Sequence, residues 1–488
     1  MRIKNDLVFL VRTPIDLIQA LRPENGNDMI DKKLAVDDAL LTMRALEGAI
    51  MSGEPASRYS GALKGPLTPA QQRWLDERLK GSDTAMKLRL YHYVGVATGD
   101  VAWMDRAFEA LYDALLEDAF SGITCQAGGR IVADRHGVSL PLRANLAGGW
   151  SDVPPYCNEK GGTVLNAAIQ LNGQDPVRVG LTRLAEKHVV LESVDLRARQ
   201  VFDSIEPLQR ADVPGDAFAL HKAALLASGI VPLKGGALGD VLESLGGGFA
   251  LRTEVSGVPT GSGLGTSCIL SAACIKALLE FTGHATTDEA LCRRVMTAEQ
   301  LMSTGGGWED QLGALRSGIK LLSSPPGIRQ DVEIRGLDLE AGVMETLRQR
   351  YTLIYTGQTR QTKRILRDIL GGYIGNEPHI VRALEEIQRV AVLMRDALER
   401  GRVDNFAALM NHHWEQSRRM DAGCTNARIE RIFGVTADLL DGKMCVGSGG
   451  GGFLQVMMKP GVTRRQLDQR LRHAFGDESV ATWDCAIV

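Results

Sequence analysis

The amino-acid sequence predicts an α+β fold of more than one domain, entered through a helical N-terminal region. Three observations lead there. The chain has 488 residues, more than a single hydrophobic core usually serves. Residues 1–120 place apolar side chains at the three- and four-residue spacing of a helix packed on one face. After Gly122 the texture changes to short β-rich runs broken by glycine clusters, with helices mixed in rather than alternating as regular βαβ units.

In chain order, helical spacing predicts helices over Ala35–Met51, Gln72–Tyr93 and Val101–Asp118, punctuated by Pro66, Pro69 and the glycines between Ser52 and Gly65. No catalytic constellation stands out in this region, which reads as a helical appendage or an interface layer through which copies of the chain could associate. Strands are expected at Val177–Leu184, Val189–Ser193 and Phe249–Val255. A glycine-rich turn, Gly257–Gly265, leads into an apolar helix over Ser267–Phe281. A long helix follows at His379–Arg400, then a glycine run, Gly447–Gly452, and a strand at Phe453–Lys459. No repeat of 20 to 50 residues is present.

The formal charge of −3 supplies no basic field for nucleic acid or anionic lipid. No run approaches the length of a membrane span, and Met1–Leu10 lacks the uncharged core of a signal peptide, so a cytoplasmic location is expected. The eight cysteines are scattered with no CxxC, which argues against a zinc cluster or a disulfide framework.

Three sites carry candidate chemistry. In Pro141–Asp152 a strand delivers Arg143 and breaks at Gly148-Gly149-Trp150, a turn able to present Arg143 and Asp152 to one cleft. A surface salt bridge explains the two charges equally well. Pro259-Thr260-Gly261-Ser262-Gly263-Leu264-Gly265-Thr266-Ser267 runs directly into a helix. Glycines bare the backbone N–H groups, and the helix N-terminus favours an anion. The loop is neither a Walker loop nor a dinucleotide fingerprint, and tight helix packing is the alternative reading. In Glu299–Gln311 a helix ends in Gly305-Gly306-Gly307, placing Glu299 and Asp310, 11 residues apart, around one pocket. A capped helix followed by solvated acids is the alternative.

Together, and in this order, these sites resemble the first motif, the phosphate loop and the catalytic-Asp region of the galactokinase, homoserine, mevalonate and phosphomevalonate (GHMP) kinases. Gly447–Phe453 resembles their third, glycine-rich motif. One branch matches further. Gly148–Pro155 looks like the first motif of L-fucokinases, whereas galactokinases carry Glu-His where Gly149 and Trp150 stand. Gly161–Ile169, Asn411-His412-His413-Trp414 and Thr425-Asn426 are also fucokinase-like. The resemblance covers roughly residues 120–488.

The resemblance implies a two-domain GHMP kinase fold, with an ATP-binding domain at 121–335, a C-terminal domain at 336–488 and the extra helical region at 1–120. It implies ATP and Mg²⁺ as cofactors and phosphorylation of L-fucose at its anomeric hydroxyl. Pro259 and Gly261–Ser267 would bind ATP, and Ser267 and Glu299 would hold Mg²⁺. Asp310 would accept or orient the hydroxyl proton, and Arg143 would keep Asp310 ionised and stabilise the transferring phosphoryl group. Asp152 would bind sugar hydroxyls, with Gly148, Gly149, Trp150, Gly449 and Gly450 completing the sugar site. A stretch of 120 residues is short for the nucleotidyltransferase of bifunctional relatives, so kinase activity alone is expected.

Three positions depart from the pattern. Thr266 replaces the first Ser of a Ser-Ser pair, Cys268 stands where many relatives carry Ser or Ala, and Glu309 stands where fucokinases are expected to carry Gln. An added negative charge at Glu309 would bear on substrate choice. The adjacent His412 and His413 point about 100° apart on a helix, so a structural or sugar-side role outranks metal binding. Cys445 reads as a buried small residue. Rival readings are a GHMP kinase for another sugar (a heptose phosphate or galactose) and a catalytically silent sugar- or nucleotide-binding regulator.

Overall fold

The structure, a computed structural model, describes residues 28–122, 129–259, 261–284, 287–302, 306–359, 362–476 and 479–488. The first 27 residues of the expected helical region, Thr260 of the glycine-rich turn and Gly305 of the three-glycine run lie outside the described residues. The chain divides into two compact units, residues 1–114 with 369–381 and residues 115–368 with 382–488.

The smaller unit holds α1 (Asp28–Ser52), α2 (Pro69–Gly81), α3 (Thr84–Thr98) and most of α4 (Val101–Gly122). Met43, Leu46, Leu75, Tyr93, Val94 and Ala97 form its core. The helix expected over Gln72–Tyr93 is two helices. Asp83 caps the second, its Oδ1 accepting from the Met86 N–H at 2.8 Å, and a cap of this kind restarts the chain at a new angle. Thr68 and Gln71 form a capping box at the start of α2, with Pro69 at the first helical position. The turn at residues 369–381 belongs to this unit, because the Ala56 N–H donates to the Gly375 carbonyl at 2.8 Å and Asn376 Nδ2 donates to the Tyr93 hydroxyl at 3.2 Å.

Among the described residues, the larger unit contains fourteen strands in three sheets. β1 (Arg135–Leu140), β4 (Val177–Leu184), β5 (Val189–Ser193), β6 (Ala198–Phe202) and β7 (Gly248–Val255) form one, in the order β1-β4-β7-β5-β6. The strands expected at Val177–Leu184 and Val189–Ser193 occupy those residues, because β-branched side chains bounded by turns leave the pattern little freedom. A second sheet joins β2 (Leu142–Ala147), β3 (Gly162–Leu171), β8 (Ile319–Ser324), β9 (Glu333–Gly336) and β14 (Cys485–Ile487). The third is β11 (Leu440–Cys445), β12 (Phe453–Met458), β10 (Tyr351–Tyr355) and β13 (Ala481–Trp483), in that order.

Helices that bear on the site are α5 (Thr266–Phe281), α6 (Asp288–Leu301), the short α7 (Glu309–Leu312), α8 (Pro378–Glu399) and α9 (Val403–Met420). The face of α5 carrying Ile269, Ala272, Ala273 and Leu278 is fully buried, which fixes the direction in which its N-terminus points. No described helix is long and apolar enough to cross a membrane.

Candidate active site

β2 is buried along its whole length, yet it carries Arg143 and Asn145 among apolar residues. Alternate residues of a strand share a face, so the two point to one side. The register sets Asn145 opposite Asn166 on β3, and Asn166 opposite Lys320 on β8. A row of polar side chains therefore crosses the centre of the sheet, and α7 supplies partners to Arg143 and Asn166. Arg143 Nε and Nη2 donate to Asp310 Oδ1 at 2.8 and 2.5 Å, and Nη1 donates to the Gly263 carbonyl at 2.8 Å. Asn166 Nδ2 donates to Glu309 Oε1 at 2.8 Å. The Arg143 side chain is 2% exposed and that of Asp310 30%, so the pair has a sealed cationic end and an open carboxylate end. This is no surface salt bridge.

The turn after β2 is held from three sides. Gly148 adopts φ +90, and a Cβ there would lie 2.1 Å from the Thr163 carbonyl oxygen, so only glycine fits. Its N–H donates to His413 Nε2 at 3.2 Å. Burial lowers the His413 imidazole to about 3, so the ring is neutral and Nε2 can accept. Trp150, half-buried at φ +91, donates its N–H to Asp152 Oδ1 at 3.1 Å. Asp152 Oδ2 accepts from the Glu309 N–H at 3.0 Å, and burial pushes this carboxyl up to about 6. Asp152 is therefore the buried joint between the turn and α7.

The glycine-rich loop adopts φ values of +70, +86 and +70 at Gly261, Gly263 and Gly265. Gly265 caps α5 without any side-chain hydrogen bond, which leaves the first-turn N–H groups facing the loop. A Cβ at Gly265 would lie 3.3 Å from Arg143 Nε and 3.4 Å from Asp310 Cγ. The loop thus passes directly over the ion pair. Leu264 is fully buried and pins it to the core. Pro259 precedes the loop, just beyond β7, and Thr266 is half-buried in the first turn of α5. The third glycine run is tied to the loop by backbone, the Phe453 N–H donating to the Ser262 carbonyl at 2.9 Å. Gly449 and Gly450 rest on the preceding turn: the Gly450 N–H donates to the Cys424 carbonyl at 2.6 Å and Asn426 Nδ2 to the Gly450 carbonyl at 3.1 Å.

Ser267 lies exposed in the first turn of α5, and Glu299 is buried on α6. The Cys268 thiol bridges the two neighbourhoods. Burial first, then the Glu299 and Asp310 carboxyls, push it well above the ordinary thiol range, and it hydrogen-bonds Glu299. A hydroxyl and a carboxylate are hard oxygen donors of the kind Mg²⁺ takes alongside phosphate oxygens and water. The donor chemistry fits. His412 Nε2 meets Glu386 Oε1 at 2.6 Å, and Cys445 is buried with Sγ 4.0 Å from the Cys424 carbonyl.

Sequence reasoning gave no role to Asn145, Asn166 or Lys320. Their signal was present: a polar residue inside an uninterrupted apolar strand is costly to bury without a purpose. On sequence alone Glu309 is expected to add a negative charge to the site. The side chain is buried, and burial pushes its carboxyl well above the ordinary range despite the nearby Arg143 guanidinium.

Residues 233–318 match the family of GHMP kinases N terminal domains. The chain is 35% identical over 323 residues to L-fucokinase/L-fucose-1-P guanylyltransferase of Bacteroides fragilis, a match covering 65% of this chain and 34% of that protein. It therefore spans about a third of that relative's length. It is 27% identical over 355 residues to D-glycero-alpha-D-manno-heptose 7-phosphate kinase of Campylobacter jejuni, covering 70% of this chain and 97% of that one. Lactococcus lactis galactokinase, solved with galactose, shares the fold at a TM-score of 0.53 and 15% identity, covering 77% of this chain and 97% of that one.

Proposed function

Because the chain belongs to the GHMP kinase superfamily, we propose that it transfers the γ-phosphoryl group of ATP to the anomeric hydroxyl of L-fucose, giving fucose 1-phosphate and ADP. The observation that carries the transfer chemistry is the Arg143–Asp310 pair lying under the Gly261–Gly265 loop. Phosphoryl transfer asks a protein mainly for positioning and for neutralisation of charge on the moving group. In this reading the loop N–H groups and the start of α5 hold the phosphates. Asp310, the open end of the pair, accepts or orients the sugar hydroxyl proton. Arg143 keeps that carboxylate ionised and faces the developing charge. Ser267 and Glu299 would hold Mg²⁺, which supplies charge neutralisation at the phosphates. Asp152 takes sugar hydroxyls while its two backbone bonds keep it in place.

The choice of L-fucose is supported by the 35% identity to the fucokinase relative and by the Gly148–Pro155 turn. The test is ADP release by the purified chain with Mg-ATP and L-fucose, D-arabinose, D-galactose, D-mannose or a heptose 7-phosphate. Turnover strongest on L-fucose is expected. Turnover confined to another sugar would discard the substrate and keep the kinase. No turnover from folded protein would discard both in favour of a silent binder.

A further inference from the structure

Glu309 has more business at the site than its place beside Asp310 requires. Its Oε1 accepts from Asn166 at 2.8 Å and lies 3.9 Å from Arg143 Nε, the same nitrogen that donates to Asp310. Its Oε2 lies 3.1 Å from where a Cβ on Gly149 would stand, so the carboxyl also floors the turn after β2. Its backbone N–H holds Asp152. One side chain thus touches the cationic end of the ion pair and the turn that carries Trp150 and Asp152, from a position 3% exposed.

We propose that Glu309 is a positioning residue for the phosphoryl transfer: its buried carboxyl, fixed by Asn166, sets how fully Arg143 is committed to Asp310. This rests on the kinase reading above.

The charge balance gives the reason. Arg143 faces Asp310 and Glu309, with Asp152 on the turn after β2 and Lys320 on β8 completing the charged and titratable groups around Glu309. One guanidinium cannot fully satisfy two carboxylates at close range when one of them is buried. Asp310 holds Arg143 at 2.5–2.8 Å and Glu309 at 3.9 Å, so the geometry gives the cation to Asp310 and leaves Glu309 to be stabilised as a neutral acid. Burial favours the same state. Lys320 relieves little, since its ammonium is spent on the Arg316 and Gly318 carbonyls at 2.7 and 3.3 Å and burial lowers it to about 7. When Glu309 ionises at higher pH it competes for Arg143, and Asp310 loses part of its counter-charge.

The test pairs Glu309→Gln with Glu309→Ala in the full chain. Glutamine keeps the length and an oxygen for Asn166 but cannot ionise. It is expected to hold kcat within about threefold of wild type near neutral pH and to lose the wild-type fall in kcat at alkaline pH. Alanine frees Arg143 and should lower kcat about 100-fold, the loss that a misplacement of about 1 Å brings, with KM for ATP within about twofold. A glutamine variant as slow as alanine, or one that retains the wild-type alkaline fall, overturns the proposal; so does an alanine variant as fast as wild type. If alanine fails to fold, the glutamine pH profile still decides. A readout free of turnover separates this from failure of the kinase reading: the infrared band of a protonated carboxyl at neutral pH, present in wild type and absent from Glu309→Gln. Its absence from wild type would overturn the proposal even in an active kinase.

Discussion

Asp310 is held by a guanidinium whose nearest alternative carboxyl, that of Glu309, stands 3.9 Å away. Arg143 is enclosed by β2, the Gly263 carbonyl and α7, and the carboxylate is the more open end of the pair. In the proposed mechanism Asp310→Asn removes both the proton acceptor and the counter-charge, so turnover should fall about 100- to 1000-fold, the usual loss of about 2.7–4 kcal/mol for such a contact. The variant should stay folded, because Glu309 can ionise and take over Arg143. ADP release beside a melting curve checks this; normal turnover would remove Asp310 from the mechanism. Asp152 carries a pH signature. With its carboxyl at about 6, it protonates as pH falls through that value and can no longer accept two backbone N–H bonds and a sugar hydroxyl together. KM for the sugar should rise below about pH 6 while KM for ATP holds. A sugar KM flat from pH 7 to 5 would exclude Asp152 from the sugar site.

At the scale of elements, the site is a joint between backbones more than between side chains. Gly452 adopts φ +73, and a Cβ there would lie 2.3 Å from the Ser262 carbonyl oxygen, beside the Phe453-to-Ser262 bond that ties the third glycine run to the loop. Left-handed backbone alone costs alanine about 1–2 kcal/mol. Gly452→Ala should therefore raise KM for ATP about 5- to 30-fold if the loop opens to relieve the clash. An unchanged KM would show that the third run does not support the Gly261–Gly265 loop in binding ATP. These joints were legible in sequence as glycine clusters, and so were the strands and helices between them. The long helix expected over His379–Arg400 is α8, Pro378–Glu399, because a one-sided apolar stripe specifies a helix well. The split at Asp83 was not legible, since the apolar spacing runs through it and only the cap marks the break. Nor was the row Asn145–Asn166–Lys320, which depends on pairing among three strands far apart in sequence. Local pattern carries local structure; register across a sheet is a property of the whole core.

Over the whole of the larger unit, buried titratable groups pull in opposite directions. His221 and His413 stay neutral down to about 4 and about 3 because burial disfavours the imidazolium. Below pH 6.5 the unfolded chain therefore takes up protons that the folded one refuses, and stability present above 6.5 is lost as pH falls. Asp152 and Glu309 have the opposite sign. Their folded carboxyls keep a proton at pH values where the unfolded chain has released it, so their contribution is present at low pH and lost as pH rises through the folded value, about 6 for Asp152. Between pH 6.5 and 4.5 each histidine can cost up to about 2–3 kcal/mol, and the two acids oppose that loss. The two pairs oppose each other, so this unit should lose less stability across that window than the two histidines alone would remove. Single replacements unmask the terms. His413→Gln should gain stability relative to wild type as pH falls, by up to about 2–3 kcal/mol, and Glu309→Gln should lose it. Urea midpoints at pH 6.5 and 4.5 measure both slopes. Equal slopes in the two variants would mean that the polar row under the ion pair does not hold its proton at Glu309, and that the balance lies with groups elsewhere in the core.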